Sequence, residues 1–245
     1  LVLYLFSATA NRTRAMIEQL SPAFRVSLAN SEEDLTAAYA LRYEVFVREL
    51  GGSGALVDHE AGLERDAFDP FFDHMLLWDD ATAQLVGVYR LLRGDQAHAA
   101  GQFYSESEYD LTPLHASGRR VLELGRSCVH ADYRGGPAMF GVASFHGTDV
   151  QALAQPLSLL HHRHLAPPNL RVTARAPHCA SMDLLDADAI DRRAAMVQVP
   201  ALIKAYLRLG GVVGQCAYVD HAFNTTDVCL IMETAAMSER QKRIY

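Results

Sequence analysis

The sequence predicts an α/β domain with a mixed sheet, because strand-like runs come in pairs separated by helical stretches and at least one pair reads as a hairpin. Apolar positions at period 2 mark the strands, and stripes at helical spacing mark the helices. With 245 residues, half of them hydrophobic, the chain can bury a sizeable core.

Residues 1–22 mix apolar positions with Arg12, Arg14 and Glu18. Leu3, Phe6, Met16, Ile17 and Leu20 suit an amphipathic helix, so residues 1–23 are expected to form an N-terminal helical appendage that packs on the domain or lies on a membrane surface. The main domain is expected over 24–235, with a C-terminal tail over 236–245. Phe24 to Leu28 alternates like a strand. Ser31-Glu32-Glu33-Asp34 then starts a helix, with a capping hydroxyl and three carboxylates at the positive end of the helix dipole. Leu35, Tyr39, Phe46 and Leu50, with Ala38, Leu41 and Val45, give that helix a buried stripe running to about Leu50. Gly51-Gly52-Ser53-Gly54 ends it.

Beyond an acidic loop, Asp73–Asp79 and Gln84–Leu92 read as a hairpin turned by Asp80-Ala81-Thr82-Ala83, followed by a polar segment through Gly118. A strand is expected over Val121–Val129 and an apolar run over Phe140–Phe145. Helices are expected near Asp149–His164 and Pro200–Leu209, and terminal strands near Val212–Tyr218 and Val228–Glu233.

A net charge of −7 gives no electrostatic reason to expect nucleic acid as the main partner. Two arginine groups, Arg119/Arg120/Arg126/Arg134 and Arg163/Arg171/Arg175, are either solvated or local contacts for an acidic carrier or an anionic headgroup. Cys128, Cys179, Cys216 and Cys229 have no C-x-x-C spacing, which suits a reducing compartment. The apolar run Leu1–Phe6 is far short of the roughly 20 residues that span a bilayer.

The Val121–Val129 strand carries Glu123 and Arg126 inside an apolar run, where ionised side chains are costly unless paired or used. Regular alternation puts the two on opposite faces, so sharing one site requires a bulge, which Gly125 would permit. Upstream lie Arg42-Tyr43-Glu44-Val45-Phe46, Glu64-Arg65-Asp66-Ala67-Phe68-Asp69 and Gly87-Val88-Tyr89-Arg90-Leu91-Leu92.

The order "LRYEVF", "ERDAFD", "GVYRLL", "ELGRSCV" resembles acyltransferases that take acyl chains from acyl carrier protein, within the wider GNAT-like superfamily. Two families share this order: acyl-homoserine lactone synthases and the ornithine N-acyltransferases that make lyso-ornithine lipid. Residues 101–111, 143–149, 160–167 and 223–229 are similar to segments of the second family. Lactone synthases usually place a Trp just after the first helix, whereas here that region reads Leu50-Gly51-Gly52 and the chain's single Trp is Trp78.

The resemblance implies a GNAT-like, mostly antiparallel central sheet flanked by helices in three layers. It also implies an L-ornithine N(alpha)-acyltransferase that moves a 3-hydroxyacyl group from acyl carrier protein to the α-amine of ornithine, with no cofactor and no metal. N-acylation requires a neutral amine, so a carboxylate is wanted as base or proton relay. Glu123 is the candidate, with a structural salt bridge as the alternative, and backbone N–H groups after Gly125 would hold the oxyanion. Arg42, Arg90 and Arg126 would organise the site by bridging carboxylates. Asp66 and Asp69 match acidic positions of the family motif and either hold the substrate's ammonium groups or pin a loop to those arginines. Phe46 would contact the acyl chain or pantetheine arm, or belong to the core.

The resemblance places the acyl donor at the strand end and turn: Cys128, Val129, Arg134, Gly135 and Gly136. Cys128 has no obvious partner base and reads as a small buried residue rather than a nucleophile. Only Pro137-Ala138-Met139 separates Gly136 from the next apolar run, about twenty residues fewer than the family implies and too few for a donor-cradling helix. His161, His162 and His164 lack an acidic or cysteine partner at zinc spacing, so a histidine cluster without metal is expected. Asn224-Thr225-Thr226-Asp227 serves a turn or a substrate contact. The expected location is cytoplasmic, with peripheral contact to the cytoplasmic membrane suggested by an amphiphilic product. The rival functions are acyl-homoserine lactone synthesis and a non-catalytic carrier- or lipid-binding module.

Overall fold

A computed structural model describes residues 2–6, 24–134 and 144–236. In chain order its elements are β1 (Val2–Phe6), β2 (Phe24–Leu28), α1 (Glu32–Arg42), β3 (Asp73–Asp79), β4 (Gln84–Arg93), α2 (Gly94–Ala100), β5 (Tyr109–Asp110), α3 (Thr112–Ala116) and β6 (Arg120–Val129). There follow β7 (Ser144–His146), α4 (Ala154–His164), β8 (Thr173–Ala174), β9 (Cys179–Ala180), α5 (Arg192–Gln198), α6 (Ala201–Arg208), β10 (Val212–Val213), β11 (Ala217–Asp220), β12 (Thr225–Asp227) and β13 (Leu230–Glu233).

Among the described residues, seven strands form one sheet in the order β10-β13-β1-β6-β4-β3-β2, antiparallel throughout except where β1 runs parallel to β13. A second sheet has the order β7-β12-β11-β9, and β5 pairs with β8. This is the mixed, mostly antiparallel α/β architecture expected from the sequence. α1 and its π-helical continuation over Tyr43–Glu49 cover β3, β4 and β6 through Ala38, Leu41, Val45 and Phe46, packed on Leu76, Leu85, Val88 and Cys128. Leu157 and Leu160 of α4 join Leu202, Ile203 and Tyr206 of α6 in a second cluster around Leu124 and Leu230.

Ser31 caps α1 as expected, its hydroxyl accepting from the Asp34 amide. The helix also reaches Glu49, but from Tyr43 onward it is π-helical, with the Leu50 amide reaching back to the Val45 carbonyl. The wider π turn is a local irregularity that places Phe46 at the edge of a cleft.

Four expectations need correction. Val2–Phe6 forms a strand, not the start of a helix: a short run with aromatic and β-branched residues gains backbone pairing on both edges, from β6 and β13, which outweighs a helical pattern. The expected appendage therefore begins inside the main sheet, and Met16, Ile17 and Leu20 lie outside the described residues. The polar segment before Gly118 contains α2, α3 and a 3₁₀ turn over Tyr104–Ser107, because its polar residues are caps and turns around a buried set including Ala97, Phe103, Leu111 and Leu114. The terminal strand expected over Val212–Tyr218 is split between two sheets, with the corner at Cys216, whose φ is 63°. The α4 helix starts at Ala154, the residues from Asp149 forming turns first. α5 carries no strong apolar stripe and was not anticipated; Asp191 caps it by accepting from the Arg193 and Ala194 amides.

Gly52 closes the turn after the π stretch by donating to the Phe46 carbonyl at 2.8 Å. A Cβ there would lie 2.7 Å from that oxygen and 2.6 Å from Cδ1 of Phe223, so Gly52→Ala is expected to cost about 1–3 kcal/mol and to reshape the cleft that Phe46 and Phe223 line. A thermal melt showing an unchanged midpoint would contradict this.

Candidate active site

The cleft is built on an irregularity in β6. Val88 stands opposite Cys128 and Arg90 opposite Gly125, so Tyr89 alone faces both Arg126 and Ser127. This bulge absorbs one residue, and Glu123, Arg126 and Cys128 therefore share the face that regular alternation would deny them. The expected bulge is present, but its strained residue is Arg126, at φ 49°, rather than Gly125. A Cβ at Gly125 would only touch Arg90 Nε at 3.9 Å, an ordinary contact. A left-handed arginine persists only where its surroundings over-determine it.

Those surroundings form a closed ring of alternating charge. Arg42, wholly buried, donates from Nε to Glu64 Oε2 at 2.5 Å and from both terminal nitrogens to Asp69, at 2.6 and 3.2 Å. Arg90 Nη1 donates to Asp69 and Asp66, each at 2.7 Å. Arg126 closes the circuit, with Nε 3.3 Å from Glu64 Oε1 and Nη2 3.2 Å from Asp66 Oδ2. Three guanidinium groups and three carboxylates thus balance, and each acid bridges two arginines bidentately or nearly so. Aromatic faces complete the packing: Phe72 lies 4.1 Å from Arg90, and Tyr104 and Phe223 lie 5.2 and 4.9 Å from Arg126. Burial pushes the Asp69 carboxyl up, but the Arg42 and Arg90 charges outweigh it and hold the group far below the usual carboxylate range.

Glu123 stands on the other side of Arg90 and is 1% exposed. Its Oε2 accepts from the Tyr104 amide at 2.8 Å, and its Oε1 from the Ser105 amide at 2.9 Å and from the Ser105 hydroxyl. Burial raises its pKa, while the Ser105 bonds pull it back. A carboxylate has about four lone-pair sites, so Oε2 retains room for one more donor.

The cleft in front of these groups has a volume of about 100 Å³. Of the sequence candidates, Phe46, Arg90, Glu123 and Arg126 line it. Arg42, Asp66 and Asp69 stand behind its wall as ring members. The candidate donor residues lie apart. Cys128 is fully buried in the core, its thiol pushed up to about 12 by burial, and Val129 is buried beside it. Arg134 bonds the Val129 carbonyl at 2.9 Å and Glu49 Oε2 at 2.7 Å, and Gly135 and Gly136 lie outside the described residues. In a native-state alkylation experiment followed by mass, exposed Cys179 should react first, and Cys128 and Cys229 only on unfolding.

Five contributors go beyond the candidate residues: Glu64 in the ring, Tyr104 and Ser105 beneath Glu123, and Glu108 and Asp220 lining the cleft, which Asp227 of the Asn224-Thr225-Thr226-Asp227 segment also lines. All except Asp220 lie within stretches already singled out as motifs, so the signal was present as text without a contact map. Of the histidine group, His161 and His162 approach Asp183 at 3.8 and 3.2 Å, and His162 Nε2 lies 2.9 Å from the Leu185 carbonyl. Among the described residues no helix is long and apolar enough to cross a membrane.

The family model described as "Acetyltransferase (GNAT) domain" matches residues 41–144, which include the ring, the bulged strand and the 3₁₀ turn beneath Glu123. Curated relatives match almost end to end. A protein of Rhodobacter capsulatus named L-ornithine N(alpha)-acyltransferase is 53% identical, over 91% of this chain and 95% of its own length. Proteins of the same name from Rhizobium meliloti and Brucella abortus are 40% and 38% identical, over 89% and 91% of this chain and 82% and 89% of their own lengths. A bulged, charge-ringed strand inside a GNAT domain and relatives this similar over this much of the sequence place the chain in the L-ornithine N(alpha)-acyltransferase family, as an acyltransferase.

Proposed function

We propose that this chain transfers a 3-hydroxyacyl group from acyl carrier protein to the α-amine of L-ornithine, giving lyso-ornithine lipid. The observation that carries the reading is Glu123, a buried carboxylate lining the same cleft as Arg126 across the β6 bulge, in a chain whose relatives are named for ornithine N-acylation. The amine nitrogen attacks the thioester carbonyl, forming the N–C bond. Glu123 takes the amine proton through the free site on Oε2, directly or through water. Amides at the bulge, where Arg126 and Ser127 leave one-to-one pairing, receive the oxyanion. Collapse of the tetrahedral centre breaks the C–S bond and releases the carrier thiol, which recovers the proton. No covalent enzyme intermediate is required, which agrees with the inert burial of Cys128.

The ring acts as a positioning device. By neutralising Arg126 with Glu64 and Asp66 it fixes the bulge without presenting a net charge to the substrate. Arg126 is thereby withdrawn from any surface patch for the carrier. The product is an amphiphile, so peripheral contact with the cytoplasmic membrane belongs to this reading.

The test is to incubate the protein with 3-hydroxyacyl carrier protein and either L-ornithine or S-adenosylmethionine and to identify products by mass. An ornithine-dependent amide is expected. A homoserine lactone, or no product from ornithine, would overturn the proposal.

A further inference from the structure

Charge balance in the cleft is uneven. The two arginines that line it, Arg90 and Arg126, are already neutralised by ring acids. Glu108, Asp220 and Asp227 also line the cleft and form no ion pair with a described side chain. Asp220 is accounted for locally, since its Oδ1 accepts from the Ala222 and Phe223 amides at 2.8 and 3.0 Å and shapes a turn. The other two are less fully satisfied. Glu108 is 7% exposed, and its carboxylate makes no hydrogen bond or ion pair with a described residue. The Asp227 carboxylate takes hydrogen bonds from the Ser144 and Thr225 side chains, but its Oδ1 is buried without a hydrogen-bond partner, while the Tyr109 hydroxyl fixes the Asp227 backbone by donating to its carbonyl at 2.9 Å.

A buried Glu108 carboxylate with no bond to a described residue, beside an Asp227 Oδ1 that lacks a donor, is costly as it stands. Burial and then the neighbouring Asp227 charge push Glu108 up, and burial pushes Asp227 up as well. A cation placed between them removes the like-charge repulsion and supplies the missing donors. An ammonium group has three donors and no acceptor, which suits two carboxylates at once. The site shares its cleft with Glu123 and the bulge, so one diamino acid in that cleft can present one amine to Glu123 and the other to Glu108 and Asp227.

We propose that Glu108 and Asp227 form the subsite for the side-chain ammonium of a diamino-acid acceptor, and so select a basic amino acid over a neutral one of equal length. The proposal rests on the acceptor inferred above, and its test separates the two. Binding of L-ornithine and of L-norvaline, which has the same carbon chain without the terminal amine, is measured by calorimetry on the full chain. Acyl transfer to each is measured in parallel from one carrier-bound donor.

The wild type is expected to bind ornithine about tenfold to a hundredfold more tightly than norvaline. Glu108→Gln and Asp227→Asn should each remove most of that preference, raising KM for ornithine by about tenfold or more with kcat within threefold and norvaline unaffected. A wild type that binds ornithine no better than norvaline, or binds neither, overturns the subsite without need of any variant. Equal losses toward both amino acids also overturn it, because they would mark a base or a structural role. Ornithine preference that depends on Glu108 and Asp227, with no acylated product, would keep the subsite and sink the acyl-transfer reading.

Discussion

Asp69→Ala should destabilise the chain by about 3–5 kcal/mol, lowering its melting midpoint by roughly 10 °C or leaving it largely unfolded. Asp69 is 4% exposed and accepts from Arg42 Nη1 and Nη2, from Arg90 Nη1 and from the Asp66 amide at 2.7 Å. Truncation strands two guanidinium groups that are 0% and 1% exposed, and neither can shed its proton. The loss then spreads, because Asp66 and Glu64 are tied to the same arginines and Arg126 keeps its left-handed backbone only while both hold it. The pH dependence is fixed in sign. A carboxyl whose folded pKa is depressed stabilises above its unfolded value near 3.8 and loses that contribution only as pH falls through the lower folded value. The gap between wild type and variant should therefore be flat from about pH 5 to 8 and close in strong acid. A variant as stable as the wild type at neutral pH would show that the ring is dispensable.

Much of this site was readable because its chemistry is linear in the chain. Arg42, Asp66, Asp69, Arg90, Glu123 and Arg126 are charged residues interrupting apolar patterns, and such interruptions are costly enough to announce themselves. The need for a bulge followed from period-2 alternation alone, since Glu123 and Arg126 are three apart. Which residue would carry the strain did not follow. Glycine is the usual occupant of a left-handed position, and only the ring contacts explain why Arg126 takes it beside an available Gly125.

The remaining features depend on distant chain segments. Ser105 and Tyr104 sit in a polar stretch that reads as loop, and their amides become partners of Glu123 only when that loop folds into a 3₁₀ turn over β6. Asp227 reads equally as a turn residue or a substrate contact, and only β12 brings it to the cleft that Glu108 also lines. Val2–Phe6 reads as helical for the same reason, since its partners, β6 and β13, lie more than a hundred residues away. Short segments with few local preferences are decided by tertiary pairing, and pairing across such separations leaves no periodic trace.

Glu123→Gln should lower kcat for acyl transfer by about 10²–10⁴-fold with carrier binding retained. Loss of turnover alone would not identify a base, because Gln has one oxygen where Glu123 has two, and the Tyr104 and Ser105 amides and the Ser105 hydroxyl would compete for it. The pH profile makes the distinction. Burial pushes the Glu123 carboxyl up, so wild-type kcat should climb with pH as that group loses its proton, and the climb should vanish in the Gln variant. Ser105→Ala provides the complementary case. It keeps the carboxylate and both amides but removes a bond favouring the charged form, so it should displace the rise to higher pH while leaving the plateau within about tenfold of wild type. A Gln variant that keeps the wild-type pH profile at reduced rate would make Glu123 a positioning residue for the Tyr104–Ser107 turn, and the proton acceptor would have to be sought among the other carboxylates of the cleft.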